Sequence, residues 1–409
     1  MRRDLGLTLD PDWTFLNHGS FGACPTPVLD AQSAIRARLE RQPVRFLDRE
    51  LPPLLDATRE RLAAFLGADA DGLAFVANAT TGVNAVLASL RFGPGDELLT
   101  TDHEYNAVIN ALRVTAERDG ARVVIATIPL PVAGDDSVVE AVLERVTPRT
   151  RLVVVSHVTS PSALVLPVER LVHALDHRGI DTLIDGAHAP GMVALDLDAL
   201  GAAYYTGNAH KWLCAPKGAA FLWVRADRRD RVRPTTTSHG WNEPLDARRR
   251  SRFRAEFDWV GTGDPSAVLA IPAALDWLAA GLPRGIAAVM AAQHGAAVAA
   301  VTRLAAALDV EPLAPEAMLG AMASVRLPGV TSDEQAGAVK HALEDARIEI
   351  PVVGFPVRAA RRGPAAAPSM VLVRVSTPVY VEPSDVDRLV EVLVPAVASV
   401  ADGRSAAAE

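Results

Sequence analysis

Four side chains near the middle of the chain have types and spacing suited to covalent chemistry. Asp185 ends an apolar strand pattern, His188 follows three residues later, and the pair His210-Lys211 follows a second strand pattern. A lysine amine can form an imine with an aldehyde, and a carboxylate can keep a pyridine nitrogen protonated, so that the ring accepts electrons. This order of residues predicts a site for pyridoxal 5'-phosphate (PLP), with Lys211 as the imine lysine and Asp185 as the partner of the ring nitrogen.

Each of these roles has an ordinary structural alternative. Lys211 lies in a largely apolar stretch, where desolvation lowers the pKa of an amine and favours imine formation and proton abstraction. A lysine in such a stretch can instead extend its amine to solvent, and we assign that role to Lys217. Asp185 could cap a helix starting near Ala187, and His188 either contacts the cofactor's phenolate oxygen or lies in a polar turn.

A second polar segment, residues 78–82, lies between a strand pattern and a helix pattern. Backbone N–H groups at a helix start bind anions, and the hydroxyls of Thr80 and Thr81 can add hydrogen bonds. The alternative is an ordinary threonine N-cap. Together with the lysine and the aspartate, the segment predicts a phosphate site that includes Ala79. His210 either binds the same phosphate or caps its own turn.

Composition and charge indicate a globular protein with more than one domain. The chain has 409 residues, is 49% hydrophobic and carries a formal net charge of -8, which argues against a nucleic-acid-binding protein. Its two cysteines, Cys24 and Cys214, suit a reducing compartment. The N-terminus lacks the apolar core of a signal peptide, and a partly buried helix explains the uncharged run 285–302 better than a membrane span. We therefore expect a cytoplasmic protein.

Strand and helix patterns alternate over the first two thirds of the chain. This alternation predicts an α/β fold with a mostly parallel seven-stranded sheet, covered by helices on both faces. Ligands of such sheets bind beyond the carboxyl ends of the strands, where Asp185 and the Thr80-Thr81 pair fall. The predicted strands are 73–76, 97–99, 122–127, 152–156, 182–185, 203–206 and 218–224, and the helices between them include 84–90, 107–118, 138–144 and 168–177.

The pattern changes after residue 264 and indicates a smaller α+β domain. We divide the chain into an N-terminal segment (1–20), a large PLP-binding domain (21–264), a small C-terminal domain (265–400) and a disordered tail (401–409). A Pro- and Ala-rich stretch, 361–369, is interpreted as a flexible loop. The C-terminal elements expected from the pattern are helices 265–282 and 286–308, strand 322–327, helix 333–346, strand 370–376 and helix 383–400.

Several short segments together resemble one known family. The chain resembles class V aminotransferase-type enzymes of the fold type I PLP superfamily, and within it the isopenicillin N epimerase-like branch, which neighbours the cysteine desulfurases. The resemblance covers nearly the whole chain and implies the fold type I PLP-dependent transferase fold. It rests on the segments 15–22 (FLNHGSFG), 78–84 (NATTGVN), 101–106 (TDHEYN), 185–188 (DGAH) and 208–211 (NAHK).

The resemblance implies further site residues. His103 would stack on the pyridine ring, with Tyr105 as a rival, and His157 would lie near the cofactor's oxygen. Thr262 would reach the phosphate of the neighbouring subunit, which implies a homodimer with composite active sites. Arg374, inside an apolar strand pattern, would hold the substrate's α-carboxylate, because a guanidinium matches a carboxylate. The other predicted site residues are Asn208 on the cofactor side and Asn17, His18 and His239 on the substrate side; no metal ligand is predicted.

The reaction is left open among three outcomes of proton abstraction at the α-carbon of an amino-acid-like or peptide-like small molecule. The leading hypothesis is epimerisation or racemisation, in which Lys211 takes the α-proton, the ring holds the carbanion as a quinonoid, and a second base or water returns a proton on the other face. Tyr105, His18 and His239 are candidates for the second base. The alternatives are β-elimination, such as C–S lysis of a cysteine-derived substrate, and transamination.

Other functions are disfavoured. A persulfide-forming desulfurase of this family needs a mobile cysteine in the second half of the chain, but no cysteine follows Cys214, which we expect to pack as a small hydrophobe. A non-enzymatic binding domain would be expected to lose the lysine or the aspartate, and both are present. The arginine-rich segment 248–254 is interpreted as a solvated surface, with a contact to a distal substrate carboxylate as the alternative.

Overall fold

The fold is built around a seven-stranded sheet, with a three-stranded and a two-stranded sheet beside it. The computed structural model describes residues 5–245, 251–280, 285–356 and 369–402. The strands are β1 (Thr14–Phe15), β2 (Leu73–Val76), β3 (Glu97–Thr101), β4 (Arg122–Ala126), β5 (Thr150–Ser156), β6 (Asp181–Gly186), β7 (Tyr204–Asn208), β8 (Ala220–Val224), β9 (Met322–Arg326), β10 (Ile348–Glu349), β11 (Val352–Phe355) and β12 (Met370–Ser376).

The seven-stranded sheet has the strand order β2-β8-β7-β6-β5-β3-β4. The neighbours from β4 to β7 are parallel, whereas β8 is antiparallel to both β7 and β2. The carboxyl ends of β3, β5, β6 and β7 therefore meet at one edge of the sheet, where open α/β sheets bind their ligands. The prediction of a mostly parallel seven-stranded sheet is confirmed.

Both faces of this sheet are buried under helices. Val153 and Val155 belong to one apolar cluster and Leu152 and Val154 to another, because successive side chains of a strand point to opposite faces. The helices are α1 (His18–Phe21), α2 (Thr26–Arg41), α3 (Pro43–Arg45), α4 (Leu51–Leu66), α5 (Ala79–Ser89), α6 (Asn106–Asp119), α7 (Asp135–Leu143), α8 (Val168–Asp176), α9 (Leu197–Leu200), α10 (Arg252–Asp258), α11 (Ser266–Leu269), α12 (Ile271–Ala280), α13 (Gly285–Leu308), α14 (Asp333–Asp345) and α15 (Pro383–Ala401).

A second apolar core surrounds the antiparallel three-stranded sheet, whose order is β11-β12-β9. Among the described helices, α13 is long and apolar enough to cross a membrane by length and composition alone, a test that core helices also pass. Its buried side chains Ala297, Val301 and Leu304 belong to this core. Strand β1 pairs in parallel with β10 and so ties the N-terminal segment to the C-terminal part. The division at residues 20, 264 and 400 stays a prediction.

The predicted strands lie within two residues of the observed ones. Helix α5 begins at Ala79, five residues before the predicted start, because the Asn78 side chain caps it by accepting from the Thr81 N–H at 2.9 Å. The predicted helix 265–282 is divided into α11 and α12, and its last two residues lie outside the described residues. Helices α2 and α4 were not predicted. The loop 361–369, except Ser369, and the tail beyond Asp402 also lie outside the described residues.

Candidate active site

A cavity with a volume of about 750 Å³ lies at the carboxyl edge of the seven-stranded sheet. The ends of β5, β6 and β7 and the start of α5 contribute to its wall, together with the loops that follow these strands. Its volume lies within the range of small-molecule and cofactor sites. The predicted site residues that line it are Ala79, Thr80, Thr81, Tyr105, Asp185, His188, Asn208, His210 and Lys211.

The amine of Lys211 is held in a desolvated part of this cavity. Its Nζ lies 3.1 Å from His188 Nε2, within hydrogen-bond distance. Burial lowers the pKa of Lys211 to about 7, with the charge of Arg374 acting in the same direction and that of Asp185 opposing it. Burial also holds the pKa of His188 well below its ordinary value, so this imidazole is neutral. A substantial fraction of the Lys211 amine is therefore unprotonated, and nucleophilic, near neutral pH.

Asp185 presents a buried carboxylate to the cavity and is 4% exposed. Its Oδ1 accepts a hydrogen bond from the Ala187 N–H at 2.9 Å, within a turn, which excludes the alternative of a helix cap. In the described part of the chain, no basic side chain lies within 4 Å of this carboxylate. Burial raises the pKa of Asp185, and the Ala187 hydrogen bond and Lys211 oppose that shift. Such a carboxylate gains from a cationic partner.

Glu104, which the sequence analysis missed, is a second buried carboxyl group in this region. Its Oε1 accepts hydrogen bonds from the Ser156 hydroxyl at 2.6 Å and the Tyr105 N–H at 2.8 Å, whereas Oε2 has no partner among the described residues. Burial raises the pKa of Glu104 to about 8, and the charge of Asp185 acts in the same direction. We therefore expect Glu104 to be largely protonated at neutral pH.

The start of α5 is suited to a phosphate. Asn208 Oδ1 accepts the Ala79 N–H at 2.8 Å, and Asn78 Oδ1 accepts the Thr81 N–H and hydroxyl. Asn78, and not a threonine, is thus the N-cap. Within the described ranges, neither the N–H nor the hydroxyl of Thr80 has a hydrogen-bond partner. These donors and the start of the helix can hold an anion. His210 also lines the cavity, and its Nδ1 lies 3.1 Å from the Ala219 carbonyl oxygen.

Arg374 is a buried cation next to the cavity wall. Its guanidinium donates to the carbonyl oxygen of Ser160 at 2.6 Å and to the hydroxyl of Ser20 at 3.2 Å, and both serines line the cavity. Burial lowers the pKa of Arg374 to about 10, so it remains charged at neutral pH. No acidic side chain in the described ranges lies within 4 Å of it. A buried cation of this kind is stabilised by an anionic partner.

Two predicted histidines do not face the cavity. His103 is buried, with Nδ1 2.6 Å from Ser162 Oγ and Nε2 2.9 Å from the Ile128 carbonyl oxygen, whereas Tyr105, its rival for the stacking role, lines the cavity. His157 follows a strand residue that lines the cavity and therefore turns to the other face of the sheet, where its Nδ1 lies 2.9 Å from the Tyr205 hydroxyl.

Other predicted residues also lie outside the cavity. Nδ1 of His18 lies 2.8 Å from the Tyr380 hydroxyl, and Nε2 lies 3.1 Å from the Lys211 carbonyl oxygen. His18 therefore connects these two parts of the structure. The side chain of Asn17 forms hydrogen bonds with Glu349 and with Ser20. His239 lines a separate pocket between the π-helical turn 46–50 and residues 258–259. Thr262 is exposed, away from the cavity wall, and its contact with a neighbouring subunit stays a prediction.

The arginine-rich segment is not simply a solvated surface. Arg254 is 6% exposed and pairs with Asp56 and Asp71, and Arg59, which is 1% exposed, also pairs with Asp56. Residues 248–250 lie outside the described residues. Lys217 lines the cavity and is exposed to solvent, as expected, and it also donates to the Gly22 carbonyl oxygen at 2.9 Å. Sequence alone gives little signal for these roles, since their partners lie far away along the chain.

The residues present fit PLP. The buried carboxylate of Asp185 has room for a protonated ring nitrogen as its partner, and Lys211 offers an amine for the aldehyde. Nδ1 of His188 is buried without a partner in the described part of the chain, and Thr80 presents unpaired donors at a helix start. The fold and the site therefore define a fold type I PLP-dependent enzyme.

Comparison with known proteins places the chain in a family. The sequence pattern of the aminotransferase class-V family matches residues 25–389, and the chain belongs to this family, whose members depend on PLP. It is 40% identical over 403 residues to an isopenicillin N epimerase from Amycolatopsis lactamdurans, covering 95% of this chain and 96% of that protein. It is 31% identical over 403 residues to a probable chloroplastic L-cysteine desulfhydrase from Arabidopsis thaliana, covering 93% and 82%.

The fold is also that of solved PLP enzymes. A structure of C-DES, described as a variant with glycine covalently linked to the PLP cofactor, superposes with a TM-score of 0.79 at 23% identity and covers 96% of this chain and 99% of that chain. At this identity the likeness supports the fold. The family resemblance drawn from the sequence motifs is confirmed.

Proposed function

We propose that this protein is a PLP-dependent epimerase that inverts the α-carbon of a peptide-like amino-acid substrate of the isopenicillin N type. The observation that carries the proposal is the buried amine of Lys211, with its pKa lowered to about 7, in one cavity with Asp185. The 40% identity to an isopenicillin N epimerase over 95% of the chain supports the substrate class.

Lys211 and the side chains around it have different roles in proton transfer. When bound, PLP supplies an aldehyde for the lysine amine and a ring that accepts electrons from the α-carbon. Lys211 Nζ takes the α-proton, because its amine is partly unprotonated at neutral pH. His188, neutral and 3.1 Å away, orients that amine, and Asp185 stabilises positive charge on the ring nitrogen.

Arg374 fixes the substrate. Burial removes water from the Arg374 guanidinium, and a substrate carboxylate that pairs with it replaces those lost interactions. Because the guanidinium donates from a planar fork, the pairing also fixes the orientation of the carboxylate. Ser20 and Ser160 hold the guanidinium at the cavity wall. A substrate bound in this way keeps its α-carbon at a fixed position relative to Lys211.

The second candidate is C–S lysis by β-elimination. It is supported by the 31% identity to a probable L-cysteine desulfhydrase and by the state of the thiols. Burial raises the pKa of Cys24 to about 11 and that of Cys214 to about 12, so neither thiol is a thiolate at neutral pH. A lyase that releases its sulfur product needs no enzyme thiolate, whereas a persulfide-forming desulfurase does.

We also propose a homodimer in the cytoplasm. Phe21, which lines the cavity, and the surface residues Trp241 and Val260 are 71%, 50% and 45% exposed, and burial against a second copy would remove this apolar surface from water. Thr262 lies in the same exposed stretch as Val260. The free cysteines are compatible with a reducing compartment. Light scattering on the purified protein gives the mass that tests the dimer.

The experiment that tests the reaction uses deuterated water. Purified enzyme with PLP is incubated with isopenicillin N, with free amino acids and with cysteine conjugates, and the products are separated by chiral chromatography and mass spectrometry. Deuterium at an inverted α-carbon supports the epimerase. A keto acid with a released thiol instead supports the lyase and contradicts the epimerase.

A further inference from the structure

An inversion removes a proton from one side of the α-carbon and returns a proton to the other side, and a second side chain placed there can supply it. The titratable side chains that line the cavity, within the described residues, are Tyr105, Asp185, His188, His210, Lys211 and Lys217. All of them except Tyr105 come from the end of β6 or from the loops after β6 and β7. Tyr105 is the exception because it follows β3 and precedes α6.

The sheet order separates Tyr105 from Lys211. The strands β7, β6, β5 and β3 are neighbours in that order, and adjacent strands lie about 4.8 Å apart. The loops that carry Lys211 and Tyr105 are therefore three strand spacings apart, roughly 14 Å at the strand axes, with Asp185 between them. Along the sheet edge, Lys211 and Tyr105 therefore lie on opposite sides of Asp185.

The Tyr105 side chain is free to act there. It is 47% exposed, and its hydroxyl has no hydrogen-bond partner in the part of the chain that the structure describes. Its backbone is fixed, since the N–H donates to the buried Glu104 and the carbonyl accepts from the first turn of α6. A negative charge on this phenol would raise the pKa of the Arg374 guanidinium, against the effect of burial.

Resting on the proposed function, we infer that Tyr105 is the second proton carrier of the epimerisation. In one direction the bond from the α-carbon to hydrogen breaks and Lys211 Nζ gains that proton, while the Oη–H bond of Tyr105 breaks and its proton goes to the opposite side of the α-carbon. The negative charge of the phenolate so formed interacts favourably with the Arg374 cation. In the reverse direction the two groups exchange roles, and each recovers its proton state from water.

The other two candidates for this role are excluded by their places in the fold. Both ring nitrogens of His18 contact other protein atoms, and burial lowers its pKa to about 3. His239 lines a different pocket. His188 touches Lys211 and therefore lies on the same side as the lysine.

The test compares Tyr105→Phe, which keeps the ring and removes only Oη, with the matched control Tyr204→Phe at a fully buried tyrosine outside the cavity. In deuterated water, Tyr105→Phe should still exchange the α-proton of one enantiomer with retention, while inversion falls by about 100-fold or more. The control should invert at the wild-type rate. Wild-type inversion rates in Tyr105→Phe overturn the assignment, whereas a wild-type enzyme that inverts nothing overturns the proposed function as well.

A second readout does not depend on turnover. The other tyrosines, Tyr204, Tyr205 and Tyr380, are at most 2% exposed, so tetranitromethane should nitrate Tyr105 alone in the protein without PLP. Adding PLP should slow that nitration. If PLP leaves the nitration rate unchanged, Tyr105 lies outside the cofactor site and the assignment is wrong.

Discussion

Replacing Glu104 with glutamine should stabilise the protein increasingly as the pH rises. The folded-state pKa of Glu104 is raised from 4.5 to about 8, mainly by burial and then by Asp185. Between these values the folded protein keeps a proton that the unfolded chain has lost, so the stability contributed by this proton falls as pH rises through that window. Glutamine carries no such proton, yet it keeps an oxygen for the Ser156 and Tyr105 donors.

The size of the effect follows from the pKa shift. Each pH unit between about 5 and 8 changes the free energy of unfolding by about 1.4 kcal/mol, which gives about 4 kcal/mol over the window. Asp185 competes for the same proton, so this is an upper limit. Urea unfolding of the protein without PLP, at several pH values, measures the difference between Glu104→Gln and wild type.

The control for this measurement is Glu140→Gln, at an exposed position of α7. Its difference from wild type should stay flat with pH. A flat or falling difference for Glu104→Gln would mean that the buried carboxyl is ionised in the folded protein, and the reasoning about its environment would be refuted.

Three other substitutions test separate parts of the account. Arg374→Gln should raise KM about 30-fold, or about 2 kcal/mol, with a smaller effect on kcat; an unchanged KM in steady-state assays would contradict the carboxylate role. Arg254→Ala should cost about 3–5 kcal/mol in urea unfolding, because Asp56 and Asp71 lose a buried partner, whereas Arg36→Ala, in an exposed pair with Asp264, should cost under about 1 kcal/mol. Cys24→Ala should keep turnover within about twofold of wild type, because the Cys24 thiol is protonated at neutral pH. Loss of turnover would mean that this thiol takes part in the reaction.

The strand ends and the residues attached to them could be predicted from sequence. Asp185, Lys211 and Thr80 follow short apolar strands, and parallel strands bring their carboxyl ends to one edge. The types of these residues, an aspartate, a lysine and a threonine, then indicate the cofactor. The large sheet and the cofactor could therefore both be predicted from this sequence alone.

The direction in which a side chain points could not be predicted in the same way. His157 is one residue beyond a cavity-lining position, and strand alternation turns it to the other face. His103 lies two residues before Tyr105, but the turn at the end of β3 buries the histidine and exposes the tyrosine. The role of Arg254 depends on Asp56 and Asp71, nearly two hundred residues earlier, and no local pattern contains that information.

The central claim is that Lys211 is the residue to which PLP attaches. The most direct measurement is reduction of the PLP-loaded protein with borohydride, followed by digestion and mass spectrometry of the peptides. We expect a pyridoxyl group on Lys211 and none on Lys217. A label on Lys217, or no labelled peptide at all, would contradict it.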